Sequence, residues 1–247
     1  MIEVKNIVFN PDGTRKILDG VSIEVPDGKL IVLTGPNGGG KTTLAKVIAG
    51  INMPDSGQII LDGEDITALD PTERAKKGVA FAFQQPVRFK GIRVIDLLRI
   101  AAGKMLSVSE ACEYLSAVGM CARDYIGREV NASLSGGELK RIEIATVLAR
   151  KPILSVFDEP EAGIDLWSFQ NLIEVFERLR VSIRGSSILI ISHQERILNI
   201  ADEIVVLKDG AIEKQGHRLQ ILPGLIGTPS AVTECEKLEV KGGILRA

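Results

Sequence analysis

Gly35-Pro36-Asn37-Gly38-Gly39-Gly40-Lys41-Thr42, followed by Thr43, fits the pattern G-x-x-x-x-G-K-[ST]. Before it, Lys29 to Thr34 is a nearly continuous apolar run, as expected of a strand buried on both faces. After it, Thr42 to Gly50 carries Leu44, Val47 and Ile48 on one helical face. Strand, glycine-rich turn and helix in that order predict a phosphate-binding loop. Glycines let the backbone wrap an anion and turn several N–H groups inward. Lys41 supplies a point charge for the β- and γ-phosphates and Thr42 a hydroxyl for Mg²⁺. The helix start adds its positive dipole end. Gly35, Pro36, Asn37, Gly38, Gly39, Gly40, Lys41, Thr42 and Thr43 are therefore the expected phosphate-binding residues.

Outward from the loop, strand-like and helix-like stretches alternate. Glu3 to Phe9 and Val21 to Val25 alternate as half-buried strands do, while Ile153 to Phe157 and Ser187 to Ile191 are short apolar runs. Phe169, Leu172, Ile173, Phe176 and Leu179 recur at helical spacing between the latter two. Val205 to Leu207 and Ala211 to Glu213, around Lys208-Asp209-Gly210, predict a hairpin. The fold class is α/β, a parallel sheet core with an antiparallel N-terminal section. From Val94 to Arg150 the patterns are helical, with helices expected around Leu97 to Ala102, Glu110 to Val118 and Gly137 to Arg150. The expected organisation is one domain over 1–247: a core of 1–85 and 151–216, an inserted helical lobe at 86–150, and an extension at 217–247.

Two further motifs carry chemistry. Ile153 to Phe157 ends in Asp158-Glu159, and strand ends face the ligand crevice of open α/β sheets. Asp158 suits Mg²⁺, which prefers oxygen ligands, and Glu159 suits a general base for an attacking water. An apolar strand ending in two acids is, on its own, equally a solvated strand end. Leu134-Ser135-Gly136-Gly137-Glu138 opens a helix as a second anion-binding terminus, although a plain N-cap explains it too.

The 247 residues carry 30 Lys+Arg against 32 Asp+Glu, which leaves no electrostatic footprint for nucleic acid. No apolar run reaches the roughly 20 residues of a spanning helix, and the N-terminus shows no signal-peptide pattern, so a cytoplasmic location is expected. Cys112, Cys121 and Cys235 form no metal-ligand spacing. His217 is read as structural, and Trp167 as packing after the loop that precedes it.

Along nearly its whole length the chain resembles ABC-type ATPases. Leu134 to Glu138 matches that family's LSGGE signature and Asp158-Glu159 its Walker B pair. Gln84, in Phe83-Gln84-Gln85-Pro86, stands at the Q-loop glutamine, Ala162-Gly163-Ile164-Asp165 at the D-loop, and His193 at the switch histidine. The resemblance implies ATP and Mg²⁺ as ligands and a head-to-tail pair of chains around two ATP molecules. Ser135, Gly136 and Gly137 of one chain would close over the γ-phosphate held by Lys41 of the other. Glu159, His193 and Gln84 would be catalytic, and Thr42, Gln84 and Asp158 would hold the metal.

Within the family the chain is most similar to SufC-type ATPases of iron–sulfur cluster assembly. Ala82-Phe83-Gln84-Gln85-Pro86-Val87 with Gly91 resembles their AFQxPVxxxG, Ser135 to Arg141 their SGGExKR, and His193 to Leu198 their HxxRIL. Asn10 stands where transporter ATPases stack an aromatic on adenine. Pro160, by contrast, is the transporter residue, and Leu139 replaces a lysine common among SufC-type chains. The resemblance implies a soluble SufB- or SufD-like scaffold docked on the helical lobe near Gln84 to Val94. The alternative is a transmembrane transporter subunit as partner.

Overall fold

The structure is a computed structural model that describes residues 1–131, 133–182 and 185–226. Strands β1 (Ile2–Phe9) and β2 (Leu18–Val25) pair antiparallel. Ile2, Val4 and Ile7 of β1 are buried, a spacing that strict alternation does not give. The register shifts between Val4 and Ile7, where Asn6 has φ 50°, so a bulge returns Ile7 to the inner face. β3 (Leu30–Thr34) leads through the glycine loop to α1 (Lys41–Ile48). β4 (Ser56–Leu61) and β5 (Glu64–Asp65) complete a four-stranded antiparallel sheet in the order β2-β1-β4-β5. α2 (Pro71–Lys76) then leads to β6 (Val79–Ala82).

Among the described residues from 94 to 149 the only regular elements are helices: α3 (Val94–Ala102), α4 (Val108–Ala117), α5 (Ala122–Tyr125) and α6 (Gly136–Ala149). β7 (Leu154–Asp158), α7 (Leu166–Ser182), β8 (Ser187–Ile191), α8 (Glu195–Ile200), β9 (Glu203–Lys208), β10 (Ala211–His217) and α9 (Arg218–Ile226) follow. The main sheet runs β10-β9-β3-β8-β7-β6, parallel except for β10 at one edge. The fold is thus α/β with a parallel core, an antiparallel N-terminal sheet and helices inserted between β6 and β7.

The period-2 alternation of the central strands divides the interior in two. Ile31, Leu33, Val156, Leu189 and Ile191 face α1 and the antiparallel sheet. Leu30, Val32, Phe157, Ile188 and Ile190 face the helical side, in a cluster continuous with Val94, Leu98, Leu115 and Ile142. The inserted helices therefore share one core with a sheet face. The lower end of α1 is held by Arg74, which is fully buried. Its guanidinium donates to the carbonyls of Val47 (2.6 Å) and Ile48 (2.9 Å), placing a cation at the helix C-terminus.

One expectation is corrected here. Trp167 does not pack after the preceding loop; it is 82% exposed. The buried stripe of α7 runs through Leu172, Ile173, Val175, Phe176 and Leu179, and its first turn lies off that stripe. Of the cysteines, Cys112 and Cys121 are free thiols, and Cys235 lies outside the described residues, as does the extension after 226.

Candidate active site

The glycine loop sits where β3 ends, and its glycines are required by what crosses beneath it. A Cβ on Gly35, whose φ is 139°, would lie 2.0 Å from the carbonyl oxygen of Leu207 on β9. One on Gly40, at φ 101°, would lie 2.9 Å from the carbonyl of Ile17. Both φ values belong to glycine, and both contacts are with backbone, which cannot step aside. Gly40 is also the N-cap of α1 and brings no capping side chain, so the first-turn N–H groups stay available to an anion.

A hollow of about 370 Å³ opens over this helix start. Asn37, Gly38, Gly40, Lys41, Thr42 and Thr43 line one wall, Glu159 another, and Arg15, Lys16, Ile17, Asp209 and Gly210 the rest. Lys41 is only 6% exposed. Its Nζ donates to the carbonyls of Gly35 (2.8 Å) and Pro36 (2.9 Å), so the ammonium is held across the loop. Burial pulls its pKa down, opposed by the charges of Glu159 and Asp158.

Thr42 Oγ1 donates to Asp158 Oδ1 at 3.1 Å, across 116 residues of chain. Asp158 is 3% exposed, and burial pushes its carboxyl above the usual range while the Thr42 hydroxyl pulls the other way. Two hard oxygen donors converging beside a phosphate-sized cradle fit Mg²⁺, which prefers oxygen ligands and keeps part of its water shell. Glu159 follows at φ 42°, a left-handed conformation rare outside glycine and typical of strained functional positions. Its carboxylate accepts from Gln84 Nε2 at 2.6 Å, so two sequence-predicted residues meet directly.

The other expected residues lie elsewhere in the chain. Ser135 forms a capping box at the start of α6: its Oγ accepts from the Glu138 N–H (3.2 Å), and the Glu138 carboxylate accepts from the Ser135 N–H (2.7 Å). Ser135, Gly136 and Gly137 do not line the hollow around Lys41. His193 is exposed and borders a neighbouring hollow of about 500 Å³ with Gly35 and Pro36.

Sequence reasoning missed three features. The first is the wall of Arg15, Lys16 and Ile17, which comes from an irregular loop with no motif of its own. The second is Lys140 and Glu143 on α6. Lys140 is 2% exposed, and its Nζ donates to Glu143 Oε2 (2.8 Å) and to the Phe83 carbonyl (2.6 Å). Glu143 accepts in turn from the Phe83 N–H at 3.2 Å. A buried ion pair thus grips both sides of the backbone of the residue preceding Gln84. Their i, i+3 spacing as opposite charges on one helix was the available signal. The third is Glu161, whose carboxylate accepts from the fully buried Ser192 hydroxyl, one residue before His193. Its second oxygen is buried with no hydrogen-bond partner among the described residues. Burial pushes the Glu161 carboxyl up.

A family model described as ABC transporter matches residues 18–162. The chain belongs to the ABC transporter ATPase family. An uncharacterized ABC transporter ATP-binding protein of Methanocaldococcus jannaschii is 38% identical over 217 residues, spanning 85% of this chain and 86% of that protein. A probable ATP-dependent transporter of Synechocystis is 36% identical over 236 residues, 88% and 90% of the two chains. The sulfate/thiosulfate import ATP-binding protein of Synechocystis is 34% identical over 220 residues, 87% of this chain and 61% of that one. Among solved structures, the ADP-free and ADP-bound cassettes of ABC transporters share the fold. A nucleotide-free ATP-binding cassette superposes with a TM-score of 0.78 at 27% identity, covering 99% of each chain. An ADP-bound cassette does so at 0.78 and 28%, covering 98% of each. In this ABC ATPase the family match runs from β2 through the glycine loop to Ala162, and so includes Lys41, Gln84, Ser135, Asp158 and Glu159. Among the described residues, no helix is long and apolar enough to cross a membrane.

Proposed function

We propose that this ABC ATPase hydrolyses Mg-ATP in a composite site shared by two copies of the chain, and that closure of the pair drives a conformational change in a soluble iron–sulfur scaffold resembling SufB or SufD. The observation that carries the catalytic part is the Thr42–Asp158 hydrogen bond beside the hollow lined by Lys41 and Glu159. Thr42, Asp158 and Gln84 would hold Mg²⁺, whose charge offsets that of the phosphate oxygens. Lys41 exchanges the Gly35 and Pro36 carbonyls for phosphate oxygens. Glu159 takes the proton of the attacking water once Gln84 releases its carboxylate, and His193 meets the γ-phosphate. Ser135 to Gly137, with bare helix N–H groups beyond their capping box, reach the phosphate of the second copy. Ile17 and the Arg15 side chain supply the wall against which the base rests.

Two observations accompany the proposal of a partner docked on the helical lobe. Lys140, within Ser135 to Arg141, bonds directly to Phe83, within Ala82 to Val87. Two of the segments that carry the SufC-type resemblance are therefore physical partners rather than separate coincidences. Beside this link an apolar groove of about 390 Å³ runs between Phe83, Val87, Phe89, Leu97, Ile100 and Leu139, with Phe83, Val87 and Ile100 exposed. Its place between β6, the segment after Gln84 and the inserted helices suits a partner segment that senses Gln84. The second reading, an ATP-binding subunit of a membrane transporter, is favoured by the 34% identity to a sulfate/thiosulfate import ATP-binding protein. Affinity purification of the tagged chain from its native cell separates them. A soluble, cysteine-bearing scaffold is expected among the retained proteins, and recovery with a multi-spanning membrane protein alone would overturn the scaffold reading.

A further inference from the structure

Glu138 brings a negative charge to the start of α6. Its Oε2 accepts from the Ser135 N–H at 2.7 Å, and its own N–H donates to Ser135 Oγ at 3.2 Å. This capping box leaves the N–H groups of Gly136 and Gly137 outside it. A carboxylate at a helix start steadies the helix, because it meets the positive end of the dipole. The same charge repels a second anion brought to that end. A phosphate approaching Gly136 and Gly137 would therefore meet a like charge beside them.

Two residues outside the motif counter that charge. Tyr125, the last residue of α5, donates its hydroxyl to Glu138 Oε1. Arg128 Nη1 stands 4.0 Å from the same oxygen, and its guanidinium lies over the Tyr125 ring, 5.2 Å from the centroid. The backbone of Arg128 is held on both sides: its N–H donates to the Tyr125 carbonyl and its carbonyl accepts from the Val94 N–H, both at 2.9 Å. Burial pushes the Glu138 carboxyl up, but the bonds from Tyr125 and Ser135 and the charge of Arg128 hold it below the usual carboxylate range. Arg141, on α6 itself, donates instead to the carbonyls of Gly137 (3.4 Å) and Gly119 (3.3 Å). Among the described residues, then, Arg128 is the cation paired with Glu138. Neither Tyr125 nor Arg128 lines the hollow around Lys41. We propose that Tyr125 and Arg128 are positioning residues that hold and neutralise Glu138, so that the start of α6 can take the γ-phosphate bound by a second copy of the chain. The inference rests on the composite-site reading, in which Ser135 to Gly137 reach that phosphate. Arg128 acts only through Glu138, so it matters to pairing only while position 138 carries a charge.

The experiment uses the full chain carrying Glu159→Gln, so that bound ATP persists. Sedimentation velocity with Mg-ATP, at low and high ionic strength, measures pairing. Arg128→Ala weakens dimerisation about fivefold at low ionic strength, the upper end for a partly exposed ion pair, and less at high ionic strength, where salt screens the charge. Glu138→Gln keeps the capping box and removes the charge; with it in place, Arg128→Ala no longer weakens pairing. A residue that merely held α5 in shape would give the same loss in both backgrounds. Mg-ATP binding by the dilute monomer is unchanged in every variant, which also shows that each folds. Should Arg128→Ala not fold, Tyr125→Phe serves in its place and weakens pairing more with Glu138 than with Glu138→Gln. Equal losses in the two backgrounds, or no loss in either, overturn the neutralising role and leave the composite site standing. No dimer with Mg-ATP in the parent chain overturns the composite site and this inference with it.

Discussion

Replacing Lys140 by methionine tests whether α6 holds Gln84 in the place where it is proposed to act. The ammonium is 2% exposed and makes two charge-assisted bonds, to Glu143 Oε2 at 2.8 Å and to the Phe83 carbonyl at 2.6 Å. Lys140→Met leaves a buried carboxylate without its cation and a carbonyl without its donor. Breaking one side of a buried pair costs about 3–5 kcal/mol. The lower end applies, because burial already holds the Glu143 carboxyl above its usual range even with Lys140 beside it. Without the lysine it can take up a proton instead of staying charged. A loss of about 3 kcal/mol in a chain of this size lowers Tm by roughly 6–12 °C. Urea unfolding of the wild-type chain, Lys140→Met, Glu143→Leu and the double variant gives the coupling between the two sites. The double variant should regain much of the stability, because an apolar pair can replace a buried ion pair without loss. It should not regain kcat, because Phe83 stays unheld and Gln84 loses its fixed relation to Glu159. A Lys140→Met variant within about 0.5 kcal/mol of wild type, the usual range for plain surface changes, would refute the clamp. So would a double variant with normal kcat.

Three other outcomes follow from the same contacts. Gly35→Ala places a Cβ 2.0 Å from the Leu207 carbonyl at a φ of 139°, so it should lower stability by more than about 2 kcal/mol and abolish nucleotide binding; calorimetric unfolding and ATP titration check this. Glu161→Gln removes a carboxyl whose folded pKa is raised, chiefly by burial. A raised folded pKa contributes stability that is full below the unfolded value, near 4.5, and is lost as pH rises through the folded value. Urea midpoints measured from pH 4.5 to 8 should therefore fall for wild type relative to Glu161→Gln as pH rises, and parallel profiles would remove Glu161 as the cause. Arg15→Ala should weaken Mg-ATP binding about fivefold, the size of a partly exposed cation–π contact, in an equilibrium titration.

The glycine loop, the buried strands and Asp158-Glu159 were legible because each is set by local rules. Phosphate cradling demands glycine, and burial on both faces demands an unbroken apolar run such as Leu30 to Leu33. β4, α2, β6 and α8 were not singled out. Val79 to Ala82 is four residues with two alanines, and Glu195 to Ile200 is a six-residue helix, so neither is long enough for periodicity to speak. Trp167 was misread because indoles are mostly buried, and only the three-dimensional stripe of α7 shows that its position faces water. The Lys140–Glu143 clamp joins residues 57 and 60 positions from Phe83, a pairing set by how α6 packs on β6 rather than by any motif. The Q-loop glutamine was found by family resemblance, whereas its bond to Glu159 was visible only in space.

Phosphate release at saturating Mg-ATP by the wild-type chain and by Glu159→Gln, with ATP affinity measured in parallel, bears most directly on the proposed chemistry. Loss of a general base lowers turnover about 10²–10⁴-fold, so Glu159→Gln should bind ATP as wild type does and release almost no phosphate. Equal phosphate release from the two chains, at equal ATP affinity, would contradict the assignment of Glu159 and the hydrolytic site built around it.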